Sequence, residues 1–237
     1  MNKKHIWKDE QITTFWNYES RFPENYWSRT FGKDLIRKYA NFLNEKKILD
    51  LGCGDGGLIE ELIPFAQKNL SNSKIFGIDT SDSSIKKKYS KNNNFGEAIL
   101  SADKKNLKKL NGSVDFIFCC EVIEHLYEKN LTKLLKTAKA LLNDKGLILF
   151  TTPNNEDLKK SLICNPIDGS LFHRWQHVRS WNKYSLTKKL EKFNFETFNL
   201  METNKWWWSK FPKNLINRWR YRERGSLFIL AKKRFIN

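Results

Sequence analysis

The stretch Ile48-Leu49-Asp50-Leu51-Gly52-Cys53-Gly54-Asp55-Gly56-Gly57-Leu58 decides the fold of this chain. A short apolar run reaches an acidic residue, breaks into glycines and resumes as a helical pattern. This order predicts a buried parallel strand, a tight turn and the N-terminus of a helix. Glycines suit a sharp turn that a ligand approaches closely, and the free N–H groups of a helix N-terminus face such a ligand. The stretch therefore predicts a loop that binds a nucleoside cofactor.

The composition indicates one domain with an appendage. The chain has 237 residues, of which 40% are hydrophobic and 14% aromatic, so it can bury a full core. No apolar run approaches the length of a membrane span, and residues 1–7 lack the apolar stretch of a signal peptide. The four cysteines form no C-x-x-C pair and are expected to be reduced packing residues. We expect a cytoplasmic protein, and the sequence is compatible with peripheral association with a membrane.

The formal net charge of +17 leaves three kinds of partner open. A strongly basic protein suits nucleic acid, an anionic membrane surface or an acidic substrate. Lysines are spread over many segments, as expected for solvated faces. The charge by itself therefore favours nucleic acid only weakly.

Strands alternate with helical segments along most of the chain. Helices are predicted after the glycines and after the second strand, where Ser81 or Asp82 can cap the helix. Further helices are predicted at 131–142, before a turn at 143–146, and after a long loop at 153–183. The apolar runs predict strands at 47–51, 74–79, 97–101, 114–120, 147–151, 195–200 and 226–231. This alternation predicts a parallel sheet covered on both faces, in which ligands bind beyond the carboxyl ends of the strands.

Two regions lie outside this pattern. Residues 1–45 form a predicted helical and aromatic segment that either packs on the core or covers the pocket as a lid. Residues 46–237 form the remaining domain, with a basic aromatic insert at 203–225. From residue 203 to the end the chain carries ten Lys or Arg and one acid. Cations mixed with aromatics suit an anionic membrane, nucleic acid or an aromatic cap on the pocket.

Three acids follow predicted strands and narrow the choice of cofactor. The glycines at 52–57 also satisfy G-x-G-x-x-G, which by itself allows a dinucleotide. Asp50, directly before the glycines, would repel a pyrophosphate but attract a cationic amino-acid moiety. Asp79 ends the second strand, where a carboxylate can accept both ribose hydroxyls, and Asp103 follows the third, where it can accept from an adenine amino group. Together they indicate a cationic adenosyl compound.

Residues 46–152 resemble the class I S-adenosylmethionine-dependent methyltransferases. The segment 50–56 is similar to the first motif of that family, Asp79 to its ribose-binding acid and Asp103 to its adenine-side acid. The segment 121–126, Glu-Val-Ile-Glu-His-Leu, is similar to the one that follows the fourth strand in a large subgroup. The resemblance implies an α/β fold with a Rossmann-like seven-stranded sheet, helices on both faces and an antiparallel last strand.

The resemblance also implies S-adenosylmethionine as the cofactor. The residues that it assigns to cofactor binding are Asp50, Gly52, Gly54, Gly56, Asp79, Asp103 and Glu121. The subgroup includes ubiquinone-pathway O-methyltransferases and methyltransferases of sugar or lipopolysaccharide gene clusters. In the latter a His-Val-Arg motif precedes a helix, as residues 177–179 do here.

The acceptor side of the site is expected around Glu121, Glu124 and His125, whose spacing predicts that a helix groups them on one face. His177, from the long loop, could join them. We expect His125 and His177 to be catalytic, as general bases for a hydroxyl acceptor. A divalent metal held by these four residues is possible but not expected, and would resemble the metal site of small-RNA terminal ribose methyltransferases. Alternatively, Glu121 lines the cofactor through its backbone and Glu124 is a helix N-terminal acid.

The remaining histidines, His5 and His173, are expected to be surface or loop residues. We predict an enzyme that O-methylates a small molecule, such as a sugar or lipid-linked intermediate. The alternatives are an RNA ribose methyltransferase with a metal site, a binding module without turnover and, more remotely, a nicotinamide oxidoreductase.

Overall fold

A computed structural model describes residues 4–43, 47–70, 72–80, 91–203 and 225–235. The α-helices among these residues are α1 Asp9–Glu19, α2 Trp27–Tyr39, α3 Gly57–Asn69, α4 Lys104–Lys109, α5 Glu128–Leu141 and α6 Lys183–Glu191. The strands are β1 Lys47–Leu51, β2 Lys74–Asp79, β3 Phe95–Leu100, β4 Val114–Cys120, β5 Leu142–Pro153, β6 Leu162–Cys164, β7 Leu171–His173, β8 Phe195–Thr203 and β9 Ser226–Lys233.

Seven strands form one sheet in the order β3-β2-β1-β4-β5-β9-β8. The first five pair in parallel, whereas β9 is antiparallel to both β5 and β8. This confirms the predicted seven-stranded sheet with an antiparallel last strand. The segment expected as one long loop contains an antiparallel hairpin of β6 and β7. It reverses the chain within the segment that carries the histidines.

The core lies on both faces of the sheet because successive strand residues point in opposite directions. Leu49 and Ile117 pack with α5 and α6 on one face. Ile48 and Phe116 pack with α2 and α3 on the other. The predicted helices on both faces are therefore confirmed.

The boundaries of four predicted strands differ from those observed. Two of the four, β8 and β9, continue three and two residues beyond their predicted ends. The third strand begins at Phe95, two residues before the predicted start. The turn predicted at 143–146 is part of β5, where it forms an irregularity in the pairing with β4 between Val114 and Phe116. The Asn143 side chain accepts a hydrogen bond of 2.9 Å from the backbone N–H of Lys145, so turn chemistry is present inside the strand.

The prediction that a helix groups Glu121, Glu124 and His125 is wrong. Residues 121–127 form a bend and a turn, and α5 begins only at Glu128. Glu121 has a φ of 54°, in the left-handed region, which stops a right-handed helix at this residue. The three side chains are therefore arranged by a turn at the end of β4.

The structure describes part of the N-terminal segment and part of the insert. Trp27 and Phe31 on α2 are buried in the core, whereas α1, which is described in full, has no buried residue. Most of the insert, 204–224, lies outside the described residues, as does the helix predicted after β2. The division at residue 45 stays a prediction. Across the described ranges no helix is both long and apolar enough to cross a membrane.

Candidate active site

The glycine turn after β1 lies against the turn after β4. Gly52 has a φ of 86°, and its N–H donates to the carbonyl oxygen of Ile78 on β2 at 2.7 Å. A Cβ on Gly52 would lie 2.5 Å from Cγ2 of Val122, closer than real contacts allow. Both the backbone conformation and the space therefore require glycine at this position.

Replacing Gly52 by alanine is expected to lower the free energy of unfolding by about 2–5 kcal/mol, through left-handed strain of about 1–2 kcal/mol and overpacking of about 1–3 kcal/mol. Gly112→Ala is the matched control, because Gly112 has a φ of 64° but nothing within 4 Å of the added Cβ. It should show the strain alone. Urea denaturation followed by circular dichroism measures both, and equal losses would contradict the predicted clash.

Two predicted cofactor acids lie beside this turn. Asp50 is buried on β1, and burial, followed by the nearby Asp79 and Asp55 carboxylates, raises its pKa to about 8. Asp79 ends β2, and its Oδ2 accepts a 2.9 Å hydrogen bond from the Gly54 N–H. A cation near these acids would favour the charged form of Asp50, so this donor set fits a cationic adenosyl ligand.

The N-terminal segment supplies two further residues that the sequence did not identify. The Tyr26 ring lies against Gly54, where an added Cβ would be 2.8 Å from Cε1 of the tyrosine. Burial and the Asp55 carboxylate raise the pKa of Tyr26, so its hydroxyl is protonated at neutral pH. Arg29 Nε donates to Asp55 Oδ2 at 2.7 Å. No sequence spacing links these residues to the glycine turn, because they approach it from another element.

Asp103 occupies the N-cap of α4. Its Oδ1 accepts from the backbone N–H of Asn106 at 3.1 Å, and its Oδ2 accepts from Nδ2 of the same residue at 2.8 Å. These hydrogen bonds, the backbone one first, lower the pKa of Asp103. Capping accounts for this acid, and its contact with adenine stays a prediction.

The two acids after β4 are held by the end of β5. Glu121 accepts from Thr151 Oγ1 at 2.9 Å, and its N–H donates to the carbonyl oxygen of the same threonine. Glu124 is buried and accepts from Thr152 Oγ1 at 3.1 Å. Burial, then the Glu121 carboxylate, raises the pKa of Glu124 well above its usual range. The carboxyl ends of β4 and β5 are thereby joined at the site.

His125 and His177, the two predicted catalytic residues, are neighbours. Both are buried, and their ring centroids are 4.7 Å apart at 70°. Burial, followed by repulsion from a charged His177, lowers the pKa of His125 well below its usual value. His125 is therefore a neutral imidazole at pH 7, able to accept or donate a proton.

Two further residues of the cluster were missed or misplaced. His173, expected to be a surface or loop residue, is buried on β7, and its ring stacks on His177 with centroids 4.4 Å apart at 14°. The hairpin turns it inward. Glu156, from the loop after β5, forms a hydrogen bond through Oε2 with Nδ1 of His177. The spacing of four between the two histidines was the available sequence signal, whereas Glu156 had none.

Trp16 on α1 connects the histidines to the glycine turn. Its ring contacts His125 edge to face at 4.7 Å and lies 6.4 Å from the Tyr26 ring. Its Nε1 donates to Gln176 Oε1 at 3.3 Å, while Nε2 of the same glutamine donates to the carbonyl oxygen of His125 at 3.0 Å. Trp16 and Tyr26 of the N-terminal segment therefore lie against the site, while other aromatics of the segment enter the core.

Two groups of side chains have the residue types of a metal site. Ligand atoms of Glu124, His125 and His177 lie within 4.8 Å of one another, as do those of Glu156, His173 and His177. The first group includes three of the four residues considered from the sequence. A divalent cation there is an alternative way to activate a hydroxyl group.

This chain is similar in sequence to known methyltransferases. A family model described as a methyltransferase domain matches residues 25–200. A ubiquinone biosynthesis O-methyltransferase of Rickettsia bellii (strain OSU 85-389) is 25% identical over 225 residues, covering 87% of this chain and 89% of the relative. One of Actinobacillus pleuropneumoniae serotype 5b (strain L20) is 26% identical over 153 residues. That match covers 62% of this chain and 62% of the relative, which is less than two thirds of the relative's length.

A solved structure shares the fold over almost the whole chain. It is a 1,6-didemethyltoxoflavin-N1-methyltransferase of Burkholderia thailandensis with bound 1,6-didemethyltoxoflavin and S-adenosylhomocysteine. The TM-score is 0.65 and the identity 11%, with 98% of this chain and 93% of that chain covered. At this identity the likeness supports the fold alone.

Proposed function

This chain belongs to the S-adenosylmethionine-dependent methyltransferases, and from that premise we propose that it methylates a hydroxyl oxygen of a small molecule. The observation that carries the proposal is the buried pair of His125 and His177, of which His125 belongs to the turn after β4 that lies against the glycine turn. A hydroxyl acceptor must lose its proton during methyl transfer, and the unprotonated nitrogen of an imidazole held beside it can accept that proton.

Cofactor binding is proposed at the glycine turn. Gly52 and Gly54 are proposed to let the cofactor approach the backbone closely. Gly56 is the N-cap of α3, whose N-terminus offers free N–H groups. Asp50 is proposed to attract the cationic amino-acid part of the cofactor and Asp79 to accept from the ribose hydroxyls. Asp103 is proposed on the adenine side and Glu121 on the wall of the same pocket.

When bound at this turn, S-adenosylmethionine would supply a methyl group activated by its sulfonium centre for transfer to the acceptor oxygen. His177 is proposed to take the acceptor's proton, with His125 beside it to orient the hydroxyl. Trp16 and Tyr26 would keep water from the acceptor and hold it in line. The chain's main contributions are thus alignment and removal of one proton.

The names of the relatives support the proposed substrate class. Curated relatives bear the name ubiquinone biosynthesis O-methyltransferase, which supports an oxygen acceptor on a small molecule. A sugar or a lipid-linked intermediate stays within this class. An anionic membrane surface remains a predicted partner, and nucleic acid is a less favoured one. Both predictions depend on residues 204–224, which lie outside the described residues.

The test is transfer of an isotopically labelled methyl group to defined acceptors. The full chain is incubated with labelled S-adenosylmethionine and, separately, with phenols, sugars, a lipid extract and small RNA. We expect mass spectrometry to find a methyl ether on a small hydroxyl compound. Label in RNA alone, or on nitrogen or carbon alone, would contradict the proposal. Metal-dependent labelling of RNA would instead favour the ribose methyltransferase alternative.

A further inference from the structure

The proton positions on His173 are set by backbone donors. Its Nδ1 lies 3.3 Å from the Trp175 backbone nitrogen and 3.2 Å from that of His177, and both N–H groups donate to it. A nitrogen that accepts hydrogen bonds carries no proton, so the neutral ring must carry its proton on Nε2. His173 is therefore a donor through Nε2.

That donor faces a buried carboxylate. Nε2 of His173 lies 3.5 Å from Glu156 Oε1, and the Glu156 side chain is only 5% exposed. A carboxylate so removed from water depends on donors from the protein. The two atoms are within ion-pair distance but do not form a hydrogen bond, so the Nε2 side of the ring borders one of the two carboxylate oxygens.

The second carboxylate oxygen of Glu156 contacts His177. Oε2 forms the hydrogen bond with His177 Nδ1. A carboxylate accepts only, so the proton of the neutral His177 ring lies on Nδ1 and the lone pair lies on Nε2. The backbone beyond the ring is also fixed, because the Val178 N–H donates to the carbonyl oxygen of Glu124 at 2.9 Å.

We propose that Glu156 is a positioning residue that holds His177 in the Nδ1–H form, with the Nε2 side of His173 beside its other carboxylate oxygen. The role in catalysis rests on the proposed function, in which His177 Nε2 takes the proton of the acceptor. The logic is that of a carboxylate that selects the tautomer of a catalytic histidine.

The same proton positions disfavour a cation between Glu156, His173 and His177. A metal bound at Nε2 of His173 would need the lone pair of that nitrogen, and the proton would have to move to Nδ1. Nδ1 already receives two backbone N–H groups. The cluster is therefore better suited to orienting a proton than to binding a metal.

The test combines a spectroscopic and a kinetic measurement on the full chain. Side-chain ¹⁵N NMR of the wild type should show His177 as the Nδ1–H tautomer and His173 as the Nε2–H tautomer. In Glu156→Leu the acceptor is absent, and His177 should shift toward Nε2–H. Glu156→Gln should lower kcat roughly 10- to 10²-fold, part of the 10²–10⁴ that general bases supply, with little change in KM. Glu156→Asp, which keeps the charge, should recover part of that loss.

Asp157→Asn is the matched control, because Asp157 follows Glu156 in the chain but is exposed. The hydrogen bond described for its carboxylate comes from the backbone N–H of Lys159, at 3.1 Å. It should leave the His177 tautomer and kcat unchanged. A wild-type His177 protonated on Nε2, or a tautomer that Glu156→Leu does not alter, would overturn the inference about Glu156. If the wild type methylates no hydroxyl acceptor, the base role of His177 fails with the proposed function, whereas the tautomers are still read independently.

Discussion

Asp79→Ala is expected to abolish measurable binding of S-adenosylmethionine. The carboxylate ends β2 and accepts from the Gly54 N–H at 2.9 Å, so it both shapes the glycine turn and faces the proposed ribose position. Each hydrogen bond to a charged group contributes roughly 1.5–3 kcal/mol. Loss of two such bonds to the ribose would weaken binding by about 10²- to 10⁴-fold. Isothermal titration calorimetry with the purified full chain measures this directly.

The control for this experiment is Asp144→Asn. Asp144 is 81% exposed and lies 3.7 Å from Lys233 in a surface ion pair, before the parallel part of β5 and away from the carboxyl ends of the strands. Its replacement should leave the affinity unchanged. Circular dichroism establishes that both variants fold. If a folded Asp79→Ala variant bound the cofactor within about threefold of the wild type, the assignment of this edge as the cofactor site would be wrong, since threefold is under 1 kcal/mol.

His177→Ala is expected to lower kcat by about 10²- to 10⁴-fold while leaving S-adenosylmethionine binding intact. The ring is buried, paired with Glu156 and adjacent to His125, but no described contact joins it to the glycine turn. Single-turnover methyl transfer measures the chemical step, and calorimetry measures binding. His5→Ala is the control, because His5 lies beside Trp7 and Ser170 rather than in the cluster.

The results of this experiment separate the three roles considered for the site. A base role predicts that the wild type keeps its activity after treatment with EDTA. Loss of activity on chelation, restored by a divalent cation, would favour a metal at Glu124, His125 and His177. Unchanged labelling of the acceptor by His177→Ala would contradict both roles. A chain that binds the cofactor but labels no acceptor would be a binding module.

The cofactor edge was readable from sequence because its signals are local. A strand, a glycine turn and a helix follow one another directly at 47–69, and each has its own pattern of apolar residues and glycines. The acids Asp50 and Asp79 lie at or near strand ends, which a parallel sheet brings to one edge. The incorrect prediction of a helix at Glu121 also has a local cause. A left-handed φ is uncommon at a glutamate, and the residue type does not predict it.

The sequence by itself determined the parallel sheet and the acids beside the glycine turn, because burial and backbone geometry leave periodic traces along the chain. The antiparallel last strand was expected only from the resemblance to a known family. Only the tertiary structure decided the acceptor side. Tyr26 reaches the glycine turn from the N-terminal segment, and Glu156 and His173 reach His177 from a loop and a hairpin. These contacts join residues far apart in the chain, and the proton positions that they impose depend on distances that no spacing in sequence specifies.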